Sequence, residues 1–237
     1  MELWFAWQEC VMPLREACSR LQTFLWMYLV IAAMSTRGFD MVGVTSFVRC
    51  HWIKECYYYA LLRLFHSSGI NLDVLTAIWT RICIRLFQKF IYIVNDRHVL
   101  LADGIKAPKE GRKMPAVKSL HQQSNCNAKA PLIMGHSCQV VSMVIHALDS
   151  FFALPLAGRI HEGLRLSNRN KKTLLDKLNA LIAALAYKTH YYLVADSYFA
   201  SKKIARPLIA DGNHLLTRLK SNAVAYKKAG KRRKKGA

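Results

Sequence analysis

Up to about residue 95 the apolar positions recur at the three-and-four spacing of helices. Tyr58, Leu61, Leu62 and Phe65 form one stripe, and Leu75, Ile78, Trp79, Ile82, Leu86 and Phe90 form a second. Ser67-Ser-Gly69 separates the two helices. Upstream, residues 24–34 are uninterruptedly apolar. Eleven helical residues rise about 16 Å against a hydrocarbon core of about 30 Å, so this run predicts a buried helix and not a membrane span. Its flanks do not suit a signal peptide either: Glu2, Glu9 and Glu16 stand beside Arg15 and Arg20, and Ser35-Thr-Arg37 is a poor cleavage site. Residues 72–94 are greasy but broken by Arg81, Arg85 and Lys89, which fits a soluble helix with a basic face.

Beyond residue 95 the texture changes to short apolar runs of strand type. Strands are predicted over residues 98–102, 132–145 and 151–160, the last with Pro155 inside, which implies an edge position or a bulge. Residues 106–130 between them are polar and without period. A helix follows, with Leu174, Leu178, Leu181, Ile182 and Leu185 on one face and Asn170 as its candidate cap. Next come a strand at 191–195, a helix at about 199–210 with Ser197 as candidate cap, and a strand at 214–219 after Asp211-Gly-Asn213. Three strands followed by helix, strand, helix, strand predict an α/β chain with a mixed sheet and helices packed on it.

Composition narrows the partners. The chain has 237 residues, 53% of them hydrophobic, enough to bury a substantial core. Lys and Arg number 35 against 14 Asp and Glu, a formal net charge of +21. That excess far exceeds what solubility needs and attracts phosphate backbones, so nucleic acid is the expected partner and a membrane surface the rival one. Seven cysteines, an odd number with no C-x-x-C pair, support neither a disulfide framework nor a zinc ribbon and fit a reducing cytoplasm.

Two carboxylates carry the candidate chemistry. Asp103 ends the run that starts at His98, and Asp196 ends the run that starts at Tyr191. Ligands of open α/β sheets gather at the carboxyl ends of strands, and paired acids there can hold divalent cations against a phosphodiester. Each has a plainer reading: Asp103-Gly104 as a turn, Asp196-Ser197 as a helix start. Lys106, Lys109, Arg112, Lys113 and Lys118 form a basic segment that either contacts phosphate or is a solvated loop. His136 and His161 read as core or hydrogen-bonding residues rather than metal ligands. The tail from Lys227, with seven Lys or Arg in eleven residues including Lys231, Arg232, Arg233, Lys234 and Lys235, is a candidate for non-specific DNA binding.

Five blocks in order carry a resemblance. Asp103-Gly-Ile-Lys-Ala-Pro-Lys-Glu-Gly-Arg-Lys-Met-Pro115, Lys118-Ser-Leu-His-Gln122, Gly135-His-Ser137, Phe152-Ala-Leu-Pro-Leu156 and Val194-Ala-Asp-Ser-Tyr-Phe199 resemble the DDE transposases of bacterial insertion sequences. The resemblance spans about residues 57–226. It implies a ribonuclease-H-like catalytic domain at 96–220, after a helical region at 1–95 for DNA binding or dimerisation and before a basic tail at 221–237. It also implies metal-dependent strand cleavage and transfer at transposon ends. Mg²⁺ or Mn²⁺ is the implied cofactor, with Asp103 bridging two ions and Asp196 holding one. The implied partners are transposon-end and target DNA, bound as a homo-oligomer, without membrane.

The same resemblance marks a departure. The family takes a third acid, a Glu, from a helix beyond the fifth strand, whereas this sequence has no Glu after Glu162 and its last acid is Asp211. The sequence therefore looks like a transposase cut short at its C-terminus, with an incomplete ribonuclease-H-like sheet and little or no strand transfer expected of the chain alone. The alternative expectation is an inactive fragment that binds DNA or its full-length relative.

Overall fold

The computed structural model describes residues 2–37, 43–109, 116–121, 132–161, 172–219 and 224. Helices α1 (Glu2–Val11), α2 (Leu21–Arg37), α3 (Val44–Cys50), α4 (Tyr58–His66) and α5 (Leu72–Phe87) come first. The apolar run predicted as a buried helix is the middle of α2, which buries Phe24, Met27, Val30 and Ala33. Among the described residues no helix is long and apolar enough to cross a membrane. On α4 the buried pair is Leu61 and Leu64, while Phe65 of the predicted stripe faces solvent. Asn71 starts α5 by accepting from the amides of Asp73 (3.1 Å) and Val74 (3.2 Å).

Strands β1 (Ile93–Val94), β2 (Arg97–Pro108), β3 (Lys118–His121), β4 (Leu132–Ala147), β5 (Ser150–His161), β6 (Tyr191–Ala195) and β7 (His214–Thr217) form one sheet, with α6 (Leu174–Ala184) and α7 (Lys202–Ala210) between the last strands. Across the sheet β5, β4, β2, β6 and β7 lie in that order, with β2, β6 and β7 parallel and β4 reversed against both β2 and β5. Counted by these five strands, the spatial order is third, second, first, fourth, fifth, the ribonuclease-H-like arrangement expected. Strand β3 continues along the β4 edge where β5 ends: His161 pairs with Ser137, and Lys118 pairs with Gly135.

Some expectations are met and others corrected. Residues 106–108 and 118–121 are strand rather than aperiodic linker. Asp103-Gly104 lies inside β2 and is not a turn. Pro155 is at an edge and also at a bulge, since the register shifts between Val141, opposite Ala157, and Ser142, opposite Pro155. Ser197 does not cap the helix that follows it. Asp196 caps the short 3₁₀ turn Ser197–Phe199, and Ser201 caps α7. Helix α6 starts at a capping box made by Thr173 and Asp176, and Asn170 lies outside the described residues.

One face of the sheet is buried. Leu100, Ala102, Val141, Met143, Tyr191 and Leu193 pack with Leu178, Leu181 and Leu185 of α6, Ile204 and Leu208 of α7, and Cys83 of α5. Both crossovers run the same way along the sheet, so both helices fall on that side. Pro207 inside α7 lacks an amide for the Lys203 carbonyl one turn back, and the Asn179 side chain of α6 donates to that oxygen instead at 2.8 Å. The opposite face bears Val99, Leu101, Val140, Tyr192 and Val194, all half-buried. Helix α5 joins the two regions: Ile78 and Ile82 pack against α1 and α2, Trp79 donates to the Pro155 carbonyl at 3.1 Å, and Asp73 pairs with Arg159.

Candidate active site

The sheet register brings the two predicted acids together. Ala102 of β2 pairs with Ala195 of β6, so Asp103 and Asp196 are the next residues on neighbouring parallel strands, whose spacing is about 4.8 Å. Side chains alternate along β2, with Leu100 and Ala102 buried under the helices, which sends Asp103 to the other face. Both acids are solvent-exposed. The sequence builds this site because each acid directly follows a buried apolar run that is locked into the sheet.

Each carboxylate also makes a local bond. Asp103 Oδ1 accepts from the Gly104 amide at 2.7 Å, and Asp196 Oδ1 accepts from the Tyr198 amide at 2.9 Å. The plainer reading of Asp196, a cap, is thus realised together with its strand-end position. The Thr217 hydroxyl donates to the Asp196 carbonyl at 2.7 Å, which ties the end of β7 to the same place. Oxygen donors on two adjacent strands suit a hard divalent cation. A third acid does not join them here: among the described residues no group of three His, Cys, Asp or Glu is placed to hold a metal. Asp211 sits in the turn before β7, at the opposite end of the strands. Glu162 lies outside the described residues.

The basic candidates separate. Lys106 is on β2 three residues past Asp103 and, by alternation, on the opposite face. Lys109 follows β2, exposed, with its amide on the Met134 carbonyl (2.9 Å). Lys118 opens β3, on the far side of β4. Arg112, Lys113, Lys231, Arg232, Arg233, Lys234 and Lys235 lie outside the described residues. His161 is buried, 3% exposed, as its reading as a core residue expects. His136 is half-buried on β4. Lys177 of α6 was not singled out in the sequence, although its charge acts on both His161 and Lys118.

The scan against protein-family models matches none, and no curated protein matches the chain. Among solved structures the chain is similar to a piggyBac transposase synaptic complex with hairpin DNA, at 12% identity and a TM-score of 0.39. That match covers 85% of this chain and 42% of the other, so the chain spans less than half the length of the protein it resembles.

Proposed function

We propose that this chain is part of a DDE-type transposase, in which Asp103 and Asp196 supply two carboxylate ligands for metal-dependent cleavage and transfer of DNA strands. The observation that carries this reading is the in-register placement of the two acids at adjacent parallel strand ends of a ribonuclease-H-like sheet. Mg²⁺ or Mn²⁺ fits the donor set as far as these two side chains go, and when bound it would supply Lewis-acid stabilisation of charge at phosphorus. The chain's own part is positional. Strands β2 and β6 fix the acids side by side, and Thr217 anchors the backbone of Asp196. The net charge of +21 draws the phosphate backbone to the protein, with Lys109, Arg112, Lys113 and the Lys231–Lys235 cluster as its contacts, while Lys106 and Lys118 stand on the other face of the sheet from the acids.

Calorimetry with Mn²⁺ on the purified protein tests the reading. Binding is expected in the parent and lost in both Asp103→Ala and Asp196→Ala, with DNA binding retained in each variant. Undiminished Mn²⁺ binding in either folded variant would remove that acid from the site.

A second reading is that the chain binds DNA, or a full-length relative, without cleaving. It is favoured by the local engagement of both carboxylates, each of which gives one oxygen to a neighbouring amide. Metal binding without DNA cleavage in the same preparation separates the two.

A further inference from the structure

We propose a second site, for an oxyanion of the phosphate class, formed on the helix-covered face of the sheet by Lys118, Lys177 and His161 beside Gln139. It lies across the sheet from the acid pair and does not depend on it. The register sets the site: Ser137 of β4 faces His161, Gly135 faces Lys118, and Gln139 faces Arg159. Alternation puts Lys118, His161 and Gln139 on one face, where Lys106, opposite Ser137 on β2, also belongs. Lys177 reaches the group from the first turns of α6, whose start is tied down by Gln139 Nε2 donating to the Leu174 carbonyl at 2.9 Å.

Two buried atoms here lack a hydrogen-bond partner, and one of them, His161 Nε2, can donate to a ligand. His161 is 3% exposed and its Nε2 has no hydrogen-bond partner, and Gln139 is 2% exposed and its Oε1 has none. A buried polar atom left alone is costly, so the His161 Nε2 calls for a partner. The charges around them choose its sign. Burial, then Lys177 and Lys118, hold the His161 imidazole neutral and push it down to about 4, and burial with Lys177 also lowers Lys118. Asp176, on the same helix, is already engaged by Thr173 and Lys203. An oxyanion accepts from a neutral Nε2–H and from two ammonium groups, each of which has further protons for an acceptor such as Gln139 Oε1. A metal cation would meet two lysines, and an apolar ligand would leave the His161 Nε2 unpaired. The oxyanion comes either from free phosphate or from the phosphate of a nucleic acid.

The probe is inorganic phosphate, read at the His161 ring by NMR, with His161→Gln to assign the signal. Saturating phosphate is expected to raise the His161 midpoint by about one pH unit or more, since an anion favours the imidazolium. Lys118→Gln and Lys177→Gln are each expected to weaken phosphate binding by roughly tenfold. A His161 midpoint indifferent to phosphate in folded protein overturns the site, as does unchanged affinity in both lysine variants. Displacement of phosphate by duplex DNA supports the site with nucleic acid as the source, and phosphate retained beside bound DNA supports it with free phosphate. Asp103→Ala is expected to keep the His161 response, and losing it would overturn the separation from the acid pair.

Discussion

His161 is buried, and the charges of Lys177 and Lys118 act on it. His161 is held neutral down to about 4, against an ordinary value of 6.5. Above pH 6.5 neither folded nor unfolded chain carries the proton, and the group is silent. Between 6.5 and 4 the unfolded chain takes up a proton that the folded chain refuses, so stability falls as pH falls, and it levels off below 4. The full effect is on the order of 3 kcal/mol. Denaturant unfolding in phosphate-free buffer is therefore expected to show His161→Gln losing less stability than the parent from pH 7 to 4. A parallel loss in both proteins would mean that the imidazole is not shielded. His161 was legible in the sequence only as a core residue, because its neighbours come from β3, β4 and α6 and meet only through strand register. Asp103 and Asp196 were far more legible: each ends an apolar run, and the pairing of those two runs is all their meeting requires.

At the scale of elements, apolar runs located the strands and failed where the strand loses its apolar partner face. The predicted strand at residues 191–195 is β6 to the residue, whereas β2 runs six residues beyond its predicted end because residues 103–106 are all exposed and show no alternation. Strand β3, in which Leu120 is buried, owes its existence to the open edge of β4. Gly135 marks how closely β2 and β4 approach there: a Cβ at that position would lie 2.3 Å from the Ala107 carbonyl oxygen. Helix α7 depends on its neighbour in a way no periodicity reveals, since Asn179 completes the carbonyl that Pro207 leaves open. Asn179→Ala is expected to cost about 1 kcal/mol. In a Pro207→Ala background, where the helix supplies its own amide, the cost should shrink. Chemical denaturation of the four proteins in this cycle measures the coupling, and additive costs would show that the contact is incidental.

At the scale of the whole molecule, a helical region and a sheet share α5, and the sheet buries one face under α5, α6 and α7. The acid pair stands on the other face, so metal binding and core packing draw on different sides of the same strands. Fold class was legible from the order of elements, and the missing linker strand did not alter it. The kinked outer strand has a bearing on how this protein behaves in concentrated solution. Strand β5 is twelve residues long, lies at the rim of the sheet, and exposes Phe151, Phe152 and Ile160. Such a rim invites a strand from another molecule. Pro155 removes one amide from it and the bulge beside it bends the line of donors, so the strand cannot serve as a straight template for fibre growth. Pro155→Val should raise light scattering on concentration and heating while leaving the monomer's circular dichroism unchanged. Equal scattering would assign the protection to the bulge alone. The residue that disturbs the sheet's regularity is, on this account, what keeps this rim from pairing with a strand of another copy.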